Sequence, residues 1–175
     1  FTILSSCASR QLEEVTFRRT VIPVQELLDA AGKYFKKLMK NRSERIDLEI
    51  EPMEAKVIGD VNQLRFLLEN LIDEALTVRE DGVIRLQARK DNEYVRFLFT
   101  DTRREKSVEE LNQLFYPNLA RMTSGEKGEL RGTEYLVCKQ IIRDHDEFAG
   151  RRGCRINAEP AEGGGFTVYF TIPRR

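Results

Sequence analysis

The chain has no surplus charge of either sign: Lys and Arg together number 29, and Asp and Glu together number 29, over 175 residues. A zero balance leaves no global field to draw in nucleic acid or an acidic membrane, and only a local patch would do so. Cysteine is sparse: Cys7, Cys138 and Cys154 are odd in number and lack the spacing of a disulfide framework or a zinc site. That usage is expected of a reduced, cytosolic compartment. Long apolar runs are missing. Phe1-Thr2-Ile3-Leu4 is too short for a membrane span, and no signal-peptide pattern follows it. Histidine occurs once, as His145 at the end of a helical pattern among acidic neighbours, where capping that helix is expected rather than catalysis. Repeats and low-complexity tracts are absent too. The length suits one domain, or one domain with an appendage, and a start at Phe1 rather than Met is expected of a fragment of something longer.

What the chain does have is a helix that organises the rest. Over residues 59–78, Leu64, Leu67, Leu68, Leu71, Ala75 and Val78 recur at three- and four-residue spacing, giving one buried face. Asp60 suits its N-cap, and Gln63 stands where a capping box would be completed. Asn70, Glu74 and Thr77 form a polar stripe along the edge of the apolar face.

Around it, residues 1–16 read as the tail of a helix entering from upstream, and 16–24 as an extended connector. Apolar residues from Val24 to Leu38 predict an amphipathic helix to about Lys40 with Pro23 at its first position. Alternation at Ile46, Leu48 and Ile50 predicts a half-buried strand. Residues 83–88 and 94–100 predict a hairpin, and 107–115 a short helix capped by Ser107 and Glu110. Residues 117–131 are aperiodic and read as a mobile loop; 132–145 predict a third long helix. Residues 153–159 and 165–172 close the chain as a hairpin turning at Gly163-Gly164-Gly165. The economical packing is an α+β, two-layer sandwich, a mixed sheet of about five strands with three helices on one face.

Five segments in order resemble the catalytic, ATP-binding domain of two-component sensor histidine kinases, within the wider superfamily of gyrase, Hsp90 and MutL ATPases. Leu68-Glu69-Asn70-Leu71-Ile72-Asp73-Glu74-Ala75 is similar to the family's N box. Phe99-Thr100-Asp101-Thr102 resembles its first glycine box, and Phe115-Tyr116-Pro117 its phenylalanine box. Gly132-Thr133-Glu134-Tyr135-Leu136 resembles the second glycine box, and residues 165–173 the closing strand. The likeness covers 17–175 and implies a Bergerat-type fold, with 1–16 the tail of an upstream dimerisation-type helix. It implies ATP and Mg²⁺ as ligands: Asn70 as a catalytic N-box residue, Glu74 at the metal position, Asp101 against adenine, and Thr102, Arg103, Arg104, Gly132 and Glu134 around the nucleotide. The partners it implies are upstream phosphoacceptor helices, in a homodimer, and a response regulator, with neither nucleic acid nor direct membrane contact. The location it implies is cytoplasmic, including the cytoplasmic part of a membrane-anchored sensor. Any phosphoacceptor histidine would lie outside this sequence.

The chain departs from that pattern where the chemistry is densest. The second N-box Asn is Glu74, and the Lys three residues on is Thr77. Arg103 and Glu105 replace both glycines of the first box, and Glu134 replaces the second glycine of the next. A carboxylate is still a hard ligand for Mg²⁺. Glu134, however, would occupy the anion position at a helix N-terminus. Arg103 and Arg104 would either pair with Glu134 or Glu105 and close the site, or serve as phosphate-binding cations. The expectation is therefore a degenerate, pseudokinase-like signalling domain with weak or no nucleotide binding. The alternatives are an active ATP-dependent histidine autokinase with a divergent site, and a free-standing regulator of the anti-sigma-kinase type.

Overall fold

Strand β1 (Thr20–Pro23) pairs antiparallel with β3 (Lys56–Gly59), so the connector expected at 16–24 is partly a strand in a small sheet of its own. In that ribbon Ile22 faces Val57 on the buried side, and Val21 faces Ile58 on the other. Helix α1 (Val24–Met39) follows at once, burying Val24, Leu27, Leu28, Ala31 and Phe35 along one face. Pro23 takes its N-cap rather than its first turn. The computed structural model describes residues 16–117 and 132–175. The tail expected at 1–16, apart from Thr16, lies outside those residues, as do Cys7 and the loop expected at 117–131, apart from Pro117.

The main sheet has five strands in the order β2 (Ile46–Ile50), β4 (Gly82–Asp91), β5 (Tyr94–Asp101), β7 (Phe166–Pro173), β6 (Ile156–Pro160). Pairing is parallel between β2 and β4 and antiparallel elsewhere, which makes it the mixed sheet expected. Period-two alternation sends Ile84, Leu86, Val95, Phe97, Val168 and Phe170 to one face. Phe97 and Phe170 are register partners and stack with ring centroids 4.8 Å apart. The other face is polar and laced by exposed pairs such as Arg85–Glu49 and Arg89–Glu51, which contribute little each.

Helix α2 (Val61–Ala75) packs between α1 and α4 (Glu134–Phe148) over the apolar side of the sheet, and all three feed one core. A short helix, α3 (Val108–Asn112), lies by β6, with both halves of the Ser107–Glu110 capping box made. The box expected on α2 is half made. Asp60 accepts from the N–H groups of Asn62 and Gln63, whereas the buried Gln63 Oε1 has no hydrogen-bond partner.

His145 departs from expectation. It is fully buried instead of capping the exposed end of α4, with its ring edge-on to Phe17. Its Nε2 accepts from the Asp60 N–H at 3.1 Å, so Nδ1 carries the proton and donates to the Ile141 carbonyl at 2.8 Å. The histidine thereby fixes where α2 begins, and Asp60 in turn accepts from the Arg18 N–H.

Candidate functional site

At the end of β5 the chain turns into a polar run that begins Asp101-Thr102-Arg103-Arg104. Thr102 donates its N–H and its hydroxyl to the Val83 carbonyl, which pins the turn to β4. Asp101 is 1% exposed, and its carboxylate accepts four hydrogen bonds. Oδ1 takes the Arg103 N–H and Nε, and Oδ2 takes Arg103 Nη2 and Arg104 Nε, each at 3.0 Å. Four acceptances fill a carboxylate.

The Arg103 side chain is 2% exposed. Beyond Asp101 it donates to the carbonyls of Ala75, Val78 and Glu80, acceptors at and beyond the C-terminus of α2. Arg104 turns toward the same helix and forks onto Glu74, Nη1 to Oε1 at 2.9 Å and Nη2 to Oε2 at 2.7 Å. Tyr135, in the first turn of α4, adds its hydroxyl to Glu74 Oε2 at 2.5 Å. The Phe166 ring lies under the Arg104 guanidinium, 5.2 Å from it, and Phe115 packs edge-on to Tyr135. Two cations and two anions, nearly dry, thus neutralise one another between α2, β5 and α4.

Their titration follows from that arrangement. Burial pushes the Asp101 carboxyl up, but the hydrogen bonds and charges of Arg103 and Arg104 overcome it and hold the group below the usual carboxylate range. Burial likewise opposes charge on Arg104, and the bond and charge of Glu74 raise its pKa regardless. Burial and the Glu74 charge both push the Tyr135 hydroxyl well up, keeping it a neutral donor.

The arginines therefore pair internally, as one sequence expectation had it, but with other partners. The pairing expected with Glu105 or Glu134 is not made; the ion pairs go to Asp101 and Glu74. The reason is reach, because Asp101 ends β5 at the turn itself and Glu74, near the end of α2, comes within 2.7 Å of Arg104. Glu105 instead accepts from the Gly165 N–H at 2.9 Å, tying down the β6–β7 turn. Gly165 must be glycine there: at φ 84° it sits so close that a Cβ would stand 2.1 Å from the Asp101 carbonyl oxygen. Glu134 stays at the first turn of α4, partly exposed, after Gly132 at φ 80° and a Thr133 that makes no side-chain cap.

Asn70 lies on α2 one turn before Glu74, 7% exposed, with its Nδ2 donating to the Phe66 carbonyl. Thr77 bonds back to the Glu74 carbonyl. The structure thus assembles Glu74, Asp101, Arg103 and Arg104, while Asn70 stands one turn before Glu74 on α2 and Glu134 directly precedes Tyr135 on α4. Among the described residues no cluster of His, Cys, Asp and Glu is arranged to hold a metal ion. The donor set does not fit a Mg-nucleotide in this arrangement, since Asp101 is filled and both Glu74 oxygens are engaged. Sequence reasoning missed Tyr135, which reads as one more apolar position of α4. It also missed Gly82, which reads as a turn glycine yet makes room for Arg103.

Comparison with known proteins places this arrangement. Residues 59–175 match the family described as histidine kinase-, DNA gyrase B- and HSP90-like ATPases. The nucleotide-free catalytic domain of histidine kinase ThkA superposes with a TM-score of 0.68 at 21% identity, over 90% of this chain and 97% of that one. The mycobacterial sensor histidine kinase MprB gives 0.68 at 18%, over 90% and 99%. The ATP-binding domain of PrrB from Mycobacterium tuberculosis gives 0.66 at 16%, over 90% and 98%. No curated protein sequence matches the chain. With the family pattern spanning both the N-box helix and the closing strand, the chain belongs to the histidine kinase-, DNA gyrase B- and HSP90-like ATPases, in the fold of a histidine-kinase catalytic domain.

Proposed function

We propose that this is the ATP-binding-type domain of a two-component sensor histidine kinase whose nucleotide site is closed by its own arginines. It works in signal transduction as a conformational and partner-binding module, with weak or no nucleotide binding. One observation carries the reading: the Asp101 and Glu74 carboxylates, which stand where the family reads adenine and holds its metal, are occupied by Arg103 and Arg104. Displacing two buried guanidinium groups would leave two buried carboxylates without partners, a cost of several kcal/mol that a nucleotide would have to offset.

The domain proper is taken as 17–175, with 1–16 the end of an upstream dimerisation-type helix. The partners of this reading are that helix pair, its phosphoacceptor histidine and a response regulator, on the cytoplasmic side. ThkA has been solved with the response regulator TrrA, and full-length ShkA with AMPPNP; this chain covers 50% and 31% of those chains. No helix among the described residues is long and apolar enough to cross a membrane.

Thermal unfolding and calorimetry in millimolar Mg-ATP and Mg-ADP test the reading. The expected result is no stabilisation and no binding heat. A shift of several degrees that disappears in Asp101→Ala, measured against that variant's own baseline, would overturn the closed-site reading and leave the active autokinase standing.

A further inference from the structure

Besides Arg103-Arg104, three Arg-Arg pairs lie far apart in the sequence, at 18–19, 151–152 and 174–175. The fold brings members of all three to the end of the molecule away from Asp101. Arg19 precedes β1; Arg151 follows α4; Arg174 bridges to Val57 and the Arg175 N–H donates to the Lys56 carbonyl, both on the β1–β3 ribbon. In a chain of zero net charge this is a concentrated positive end.

A hollow of about 360 Å³ opens at its centre. Its apolar lining is the outward Val21–Ile58 pair of the ribbon, with Val21 42% exposed, together with Ala149 and Pro173. Arg19 and Arg151 stand on its rim. Arg19 is held there by design of the backbone: Gly150, at φ 96°, leaves its space empty, and a Cβ would stand 2.8 Å from an Arg19 guanidinium nitrogen. Arg151 donates to the Glu93 carbonyl at 3.0 Å and makes one ion pair, exposed and 3.7 Å long, with the Glu93 carboxylate; Arg19, Lys56, Arg174 and Arg175 make no ion pair among the described residues. Arg152 differs, being neutralised by Asp146 at 3.1 Å and Glu147 at 3.8 Å.

We propose that this end docks an acidic segment of a partner protein, an apolar side chain filling the hollow while flanking carboxylates meet Arg19 and Arg151. Charge complementarity selects an acidic partner. The lining selects a peptide chain, because apolar side chains share one concavity with two arginines, a mix that suits an apolar residue flanked by carboxylates. This surface is separate from the arginine-filled site and stands whether or not nucleotide binds.

The test is calorimetry of the purified protein with a short peptide of alternating Glu and Leu, its Lys–Leu counterpart, phosphatidylserine vesicles and a short DNA duplex. The Glu–Leu peptide is expected to bind, and Arg19→Glu with Arg151→Glu to weaken it by roughly tenfold or more. Arg152→Gln, which removes an already neutralised charge, should leave binding unchanged. In the unmodified protein, amide shifts on adding the peptide should centre on Val21, Ile58 and Gly150, a readout independent of how the variants fold. Failure of the Glu–Leu peptide to bind, undiminished binding by the double variant, shifts centred elsewhere, or tighter binding of vesicles or duplex than of peptide would each overturn the proposal.

Discussion

Gly82 and Arg103 are fitted to each other: a β-carbon on the glycine would stand 2.6 Å from Cγ of the arginine. Gly82 also holds φ at 145°, where other residues are strained. Gly82→Ala is therefore expected to lower unfolding free energy by about 2 kcal/mol or more, from strain and displacement together. Urea unfolding measures it. Restoration of stability in Gly82→Ala with Arg103→Ala, relative to the sum of the single changes, is the signature of direct contact.

Asp101→Asn should cost about 3–5 kcal/mol, because it leaves the buried Arg103 guanidinium without its counter-charge and Arg104 with Glu74 alone. The same measurement on Arg103→Met should give a similar loss, since Asp101 then loses two of its four donors and three backbone carbonyls lose a charged one.

Acid should find the same group. The native Asp101 carboxyl titrates below its unfolded value, near 3.9, so its contribution is fully present above about pH 4 and lost as pH falls through the lower native value. Stability against pH should drop in that acid window in the native sequence, and Asp101→Asn should flatten that drop.

Tyr135→Phe removes one hydroxyl from Glu74 while leaving the ring against Phe115. The expected loss is about 1 kcal/mol. Glu74→Gln should lose more, because it unpairs the Arg104 fork as well. A loss from Tyr135→Phe as large as that from Glu74→Gln would contradict this ranking.

The two described cysteines should resist alkylation in the native state. Burial pushes the Cys154 thiol up to about 12 and the Cys138 thiol higher, so little thiolate forms at pH 8. Mass spectrometry after timed iodoacetamide treatment should show both thiols slow until denaturant is added.

Much of the fold was legible because its signals are local. The three-and-four spacing from Leu64 to Ala75 and the two-residue alternation from Phe166 to Ile172 each reflect one buried face, and both elements formed where the pattern put them. The β1–β3 ribbon was not legible, since four-residue strands with one outward side each leave hardly any period to read. His145 was misplaced for a related reason: its partner, the Asp60 N–H, lies 85 residues away, and no spacing announces such a bond. At the site, the glycine replacements announced a changed chemistry, and internal pairing by Arg103 and Arg104 was among the expectations. Which carboxylates they would take depended on the end of helix α2 reaching the turn after strand β5, which is tertiary information.

The strand order carries one more consequence. β7 comes last in sequence among the strands of the main sheet, yet it lies inside that sheet, hydrogen-bonded to β5 on one side and β6 on the other. Until it is synthesised and inserted, β5 presents an unpaired edge bearing Val95, Phe97 and Phe99, and the Phe97 ring has nothing to stack on. A nascent chain therefore cannot close its sheet in the order it is made, and aggregation competes with folding during that interval.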